Sequence, residues 1–128
     1  IKNIEPMSVG FVGDLDHELD FGDFLNKVNS ILGVDAYSIA AGEKKVKRIG
    51  VSSGGASQKF SDFQEIGADT FLSGDVKENV VREIEEAGMN FINAGHYNTE
   101  KFGIQNLGKL IEKKFDLEVE FVDIPNEI

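Results

Sequence analysis

His96 and Glu100 are the residues of this chain whose types and spacing point most directly to chemistry. They set an imidazole and a carboxylate one helical turn apart in Ala94-Gly95-His96-Tyr97-Asn98-Thr99-Glu100. Both are metal-ligating groups, and the local pattern puts them at a strand-to-helix junction. Phe91-Ile92-Asn93-Ala94 reads as the end of a short buried strand and residues 101–115 as a helix, so His96 is expected in the connecting loop and Glu100 in the first helical turn. Strand ends that face helix starts are where α/β folds hold ligands. Two ligands do not complete a centre, because zinc takes three or four protein ligands and hard cations take more oxygens than one glutamate offers. The spacing also fits a plain helix start, with Thr99 or Asn98 as cap and Glu100 complementing the dipole.

Two further junctions have the same character. Ser52-Ser53-Gly54-Gly55-Ala56-Ser57 follows a strand and opens a helix. Its amides could cradle an anion such as phosphate, although it lacks the Walker lysine and the dinucleotide spacing; Gly54 and Gly55 equally suit a tight turn. In Ser73-Gly74-Asp75, Asp75 either caps the next helix or binds a metal-bound water and orients His96 from outside the ligand shell. Parallel neighbouring strands would bring Gly54, Asp75 and His96 to one edge of the sheet.

The elements that must position these residues follow from periodicity. Residues 8–13 alternate like a strand, and Asp20 then caps a helix through Leu32, with Phe21, Phe24, Leu25, Val28, Ile31 and Leu32 on its buried face and Gly33 ending it. Residues 36–41 and 46–52 read as two strands of a hairpin turning at Gly42-Glu43-Lys44. Beyond them strands and helices alternate: helices at 57–66 and 76–87, each followed by glycine, a strand at 70–72, and a terminal strand at 118–124. Phe102, Leu107, Leu110 and Ile111 give the last helix an apolar face to pack on the strands. This order predicts an α/β fold with a mixed, largely parallel sheet and helices packed on it, formed as one domain over residues 1–128. Pro6 and Pro125 bracket it.

Composition narrows the function. A chain of 128 residues buries roughly two-thirds of its unfolded surface. No apolar run approaches a membrane span and no signal-peptide pattern is present, which predicts a cytoplasmic protein without a membrane partner. A net charge of −10 argues against a nucleic-acid partner. The acidic run Asp14, Asp16, Glu18, Asp20 and Asp23 and the basic run Lys44, Lys45, Lys47 and Arg48 read as solvated faces, and His17 as an exposed loop residue. Without cysteine, any metal must be held by nitrogen and oxygen.

The run GADTFLSGDVKENVVREIEEAGMNFINAGHYNTEKFGIQNLGKLIEKKF, followed by EVEFVDIPN and preceded by SVGFVGDL near the start, resembles the carboxyl-terminal half of the NGG-interacting-factor-three-like proteins, also called GTP cyclohydrolase 1 type 2 homologues. The ordered elements are "GAD-x-F-x-[ST]-GD", an "EAG" helix end and "GH-x-x-TE-x-x-G". The resemblance implies a two-metal site built from both halves of a longer protein. His96 and Glu100 are then this half's ligands, with Gly54, Gly55, Gly74, Asp75 and Thr99 around them. The adjacent histidines and the aspartate of the other half have no counterpart here, and the chain starts at Ile1, so it reads as a fragment lacking the amino-terminal half. Some members carry histidines after "GD" where this chain has Lys77-Glu78-Asn79, which leaves no general acid or base assigned.

The implied cofactors are two divalent ions, with zinc, iron, manganese or magnesium as candidates. The implied chemistry is metal-assisted hydrolysis of a small molecule or nucleotide. The alternatives are a noncatalytic regulatory or assembly protein, a metal storage or delivery module, and an anion-binding domain using the Gly54-Gly55 loop. The family also implies self-association into a ring-like hexamer.

Overall fold

The computed structural model describes residues 1–124 and 126. Its six strands are β1 (Lys2–Pro6), β2 (Phe11–Asp20), β3 (Tyr37–Ala40), β4 (Lys45–Val51), β5 (Thr70–Ser73) and β6 (Asn90–Asn93). The helices are α1 (Phe21–Leu32), α2 (Phe60–Glu65), α3 (Glu78–Ala87) and α4 (His96–Phe115), with a 3-10 turn at Ser57–Lys59 before α2. One mixed sheet runs in the order β1-β2-β4-β5-β6-β3. Parallel pairing joins the three central strands β4, β5 and β6, while both flanks are antiparallel.

Alternation along the central strands builds a core on each face. Phe71 and Phe91 point to one side, where α2 and α3 bring Phe60, Phe63, Val80 and Ile84; Leu72 and Ile92 point to the other, under Phe21, Phe24 and Val28 of α1. Phe63 stacks on Phe71 at 4.5 Å, which in turn meets Phe91 edge-on at 5.7 Å. Gly50 of β4 makes room for this, because a Cβ there would lie 2.5 Å from the Phe63 ring.

Several expectations are corrected. The expected hairpin of β3 and β4 does not form: β3 pairs with β6 at the sheet edge, and β4 lies between β2 and β5. The Gly42-Glu43-Lys44 turn is instead held by buried Asn90, whose Oδ1 accepts from Gly42 N–H (3.0 Å) and whose Nδ2 donates to the Glu43 carbonyl (2.8 Å). The strand read at 8–13 begins at Phe11, after a turn closed by Met7 N–H to the Gly10 carbonyl (2.9 Å). It continues through the acidic run, so His17 is an exposed strand residue.

That continuation qualifies the reading of the charged runs as solvated faces: Asp16, Glu18, Asp23, Lys44 and Lys45 are exposed, but the two runs also pair across β2 and β4. Antiparallel register sets Asp14 opposite Arg48 and Asp20 opposite Lys45, and their charged atoms meet at 2.9 and 3.0 Å. Ile31 of α1 is 68% exposed rather than buried.

At the other end, α4 has no buried residue; Phe102, Leu107 and Leu110 are exposed and Ile111 is half-buried, so this apolar face does not pack into the sheet. Residues 118–124 form no strand. They run beside α4, with Val119 against Gly108 and Tyr97 donating a hydrogen bond to Asp123. Pro125 lies outside the described residues.

Asn90→Ala should lower unfolding stability by about 1–3 kcal/mol, because two backbone groups lose their partners. Denaturant titration checks this, and an unchanged midpoint rejects the role given to Asn90. Hydrogen bonds from Asn3 and then Arg48 hold the Asp14 carboxyl below its ordinary value. Its stabilising contribution is therefore complete above the ordinary carboxyl range and is lost as pH falls through the lowered value. Asp14→Asn should flatten the acid-side loss of stability below about pH 4, measured by urea unfolding across that range.

Candidate metal centre

Parallel pairing of β4, β5 and β6 brings the turns after these strands, residues 52–56, 74–77 and 94–95, to one edge. Their backbones interlock. Ser52 N–H donates to the Leu72 carbonyl (2.9 Å), Gly74 N–H to the Gly54 carbonyl (3.0 Å) and Ala94 N–H to the Ser73 carbonyl (2.9 Å). Gly54 N–H donates to Thr99 Oγ1 (3.0 Å), and the Thr99 hydroxyl lies 3.0 Å from the carbonyls of both Gly95 and His96. Thr99 thus ties the first turn of α4 to the turn after β4.

The helix begins earlier than its sequence suggests. His96 is the first residue of α4 rather than part of a loop, and Gly95, at φ +87°, occupies the N-cap position, so neither Thr99 nor Asn98 is the cap. Asn93 Oδ1 secures the entry by accepting from Gly95 N–H (3.1 Å). Placing His96 inside the helix is what aligns it with Glu100, since residues four apart share a helix face.

His96 Nε2 lies 3.3 Å from Glu100 Oε1, and both side chains are about half exposed. The pair sits over Gly54. At φ +66° a Cβ on Gly54 would fall 2.4 Å from Glu100 Oε1 and 3.1 Å from His96 Nε2. Gly74 is equally confined, with a Cβ there 2.5 Å from Thr99 Oγ1 and 2.8 Å from the Gly54 carbonyl. An exposed ion pair of this spacing adds little stability. The pair fits an ion, because bonds of roughly 2.0–2.2 Å from zinc to nitrogen and oxygen let one ion touch both atoms. Among the described residues no group of three or more His, Cys, Asp or Glu side chains is placed to hold an ion, so an ion at this pair would need ligands beyond these two.

The neighbouring candidates divide. Asp75 does not cap α3, which starts at Glu78 after Lys77; its Oδ1 accepts instead from Ser57 N–H (2.9 Å). Gly55 lies between Asp75 and the imidazole, a Cβ there being 3.5 Å from His96 Cε1 and 3.6 Å from Asp75 Oδ2. The amides of Gly54, Ala56 and Ser57 are spent on Thr99, the Gly54 carbonyl and Asp75, so they are not free to cradle an anion.

Beside the pair opens a cleft of about 430 Å³ that Asp35, Tyr37, Asn93 and Asn98 line together with Asp75 and His96. The sequence pattern does not mark Asp35, Tyr37 or Asn93 as cleft residues, and it marks Asn98 only as a possible cap. The Asn93-Ala94-Gly95 turn carried a local signal, since an asparagine side chain commonly bonds the amide two residues on. Asp35 and Tyr37 carried none, because they reach the cleft only through the pairing of β3 with β6.

The fold and this edge define the class: a mixed α/β unit that presents a histidine and a glutamate side by side where parallel strands end. A family model described as Duf34/NIF3 (NGG1p interacting factor 3) matches residues 1–127. The chain belongs to this family.

Similar proteins named GTP cyclohydrolase 1 type 2 homolog include one from Haemophilus influenzae, 33% identical over 98% of this chain and 53% of its own length. Others are from Pasteurella multocida, 38% identical with the same coverage, and Pseudomonas aeruginosa, 36% identical over 94% of this chain and 48% of its own. Among solved structures, the protein ybgI, described as of unknown function, superposes with TM-score 0.90 at 28% identity, covering 98% of this chain and 53% of that one. TTHA1606 from Thermus thermophilus gives 0.86 at 26% identity, with 98% and 51% covered. The chain spans about half the length of the curated relatives it matches.

Gly54→Ala should cost about 1–2 kcal/mol, the penalty of a left-handed backbone for a residue with a Cβ, and should separate His96 from Glu100. Thr99→Val should cost about 1–3 kcal/mol by leaving Gly54 N–H without its acceptor, while Thr99→Ser should retain most stability. Denaturant unfolding of the three variants checks both, and a Thr99→Val protein as stable as its parent rejects the interlock.

Proposed function

We propose that this chain is the half of a dinuclear divalent-metal protein that contributes His96 and Glu100, and that the intact protein is a cytoplasmic metal-dependent hydrolase. The observation that carries this reading is the convergence of the two side chains over Gly54, where only a residue without a side chain leaves them room. With no cysteine in the chain, its ligands are nitrogen and oxygen, which suit zinc, iron or manganese and, for the carboxylate, magnesium.

Bound divalent ions would lower the pKa of a water and polarise a substrate oxygen. This chain's own residues hold and aim: His96 and Glu100 as ligands, Thr99 as the tie that fixes their helix turn, and the adjoining cleft as the place for a small molecule. The name shared by the relatives supports a nucleotide whose ring is opened by water as one such substrate.

A second reading, assembly without catalysis, is favoured by the uncovered apolar face of α4, where Phe102, Leu107 and Leu110 are exposed. In this reading the occupant is another copy of the protein, within a ring-like oligomer. Light scattering of the intact protein should then give a mass several times that of one chain at micromolar concentration, and a strict monomer rejects it.

His96→Ala and Glu100→Ala should each lower the metal content of the intact protein while costing the metal-free fold only about 1 kcal/mol, since neither side chain is buried. Elemental analysis beside thermal unfolding of the metal-free variants checks this. Unchanged metal in both variants rejects the ligand assignment, and severe loss of metal-free stability assigns the motif a structural role.

A further inference from the structure

We propose that Asp75 is a positioning residue for the metal held by His96 and Glu100. It acts as an outer acceptor that takes a hydrogen bond from solvent or from a ligand O–H or N–H at the ion. The inference rests on the metal-binding reading above and assigns Asp75 no direct bond to the metal.

The two carboxylate oxygens have different surroundings. Oδ1 faces inward, where Ser57 N–H donates to it at 2.9 Å and the Ser73 hydroxyl lies at 3.4 Å. These contacts fix the half-buried carboxylate relative to the turn after β4. Oδ2 lies beside Gly55, on the side where that residue also faces the His96 ring, and no donor among the described residues reaches it. Because Gly55 has no side chain, nothing of its own fills the space between Oδ2 and the imidazole. Asp75 and His96 line the same cleft. Capping of α3 does not account for the carboxylate, since that helix begins at Glu78, and the contact to the first amide of the 3-10 turn uses Oδ1 alone.

A carboxylate fixed through one oxygen keeps the other aimed without further ordering cost. Loss of a group that holds the outer partners of a metal typically weakens its binding about tenfold to a hundredfold. Asp75→Asn separates the two faces of the residue. The amide oxygen can still accept from Ser57 N–H, which preserves the inward contact, while the outward group becomes a donor instead of an acceptor. A purely structural Asp75 would tolerate that exchange without any change in metal affinity.

The test is competition titration of zinc against a chelator for the intact parent protein and for Asp75→Asn, Asp75→Glu and His96→Ala. Thermal unfolding of each metal-free protein serves as the folding control. Asp75→Asn should weaken zinc about tenfold to a hundredfold with its unfolding midpoint unchanged, and Asp75→Glu should recover part of the loss. Zinc affinity equal to the parent's in a folded Asp75→Asn protein overturns the proposal while leaving the ligand pair intact, provided His96→Ala still loses zinc. A parent protein that binds no zinc, or a His96→Ala protein that binds it normally, overturns the ligand assignment and this proposal with it. If Asp75→Asn fails to fold, Asp75→Glu decides: it keeps the charge and moves the outward oxygen, so parental affinity there overturns the proposal and a weakened one supports it.

Discussion

The close approach of Gly54 to Gly74 and Thr99 is the constraint on which the site depends. The ends of β4 and β5 and the first turn of α4, far apart in the sequence, meet there at hydrogen-bond distance, and Gly54 and Gly74 leave no room for a Cβ. The parallel register of β4, β5 and β6 delivers these turns to a common edge, and the aromatic layer of Phe63, Phe71 and Phe91 holds that register from one face. The site is therefore a property of the sheet's assembly and only secondarily of the motif containing His96 and Glu100.

Much of this was readable from residue order. The apolar runs around Thr70 and Phe91 marked buried central strands, the glycines at 33, 67 and 88 marked helix ends, and the spacing from Phe21 to Val28 marked the face of α1 that packs on the sheet. What escaped were decisions made between elements. Nothing local distinguishes a hairpin of β3 and β4 from two strands sent to different places; Asn90, nearly fifty residues away, makes the difference by bonding the turn. The pairing of the charged runs escaped for the same reason: most of their residues are exposed as their composition suggests, but which of them meet across strands depends on the partner strand. The apolar spacing of α4 was real, but periodicity cannot say that the sheet is not what covers it.

At the candidate site, residue types were more legible than their surroundings. His96, Glu100, Gly54, Asp75 and Thr99 could all be named from strand-to-helix junctions and the ordered family elements. Their division of labour could not. That Thr99 bonds Gly54 instead of capping its helix, and that Asp75 bonds Ser57 instead of starting α3, are matters of one or two residues in helix onset, where sequence signals are weakest. The lining from Asp35 and Tyr37 depended wholly on strand order.

The twenty residues of α4 include none that is buried, while its first turn is tied to the sheet through Thr99. A rod secured at one end is a lever, and His96 and Glu100 sit at its fulcrum. The segment after the helix returns along it, past Gly108, to meet Tyr97, so the helix and its return arm come together again beside the same turn. Because His96 and Glu100 lie on the turn of α4 that Thr99 ties to the sheet, their placement over Gly54 depends on the direction in which the helix leaves that tie. Amide protection should accordingly be graded along the rod, greatest near the pivot and least toward Phe115.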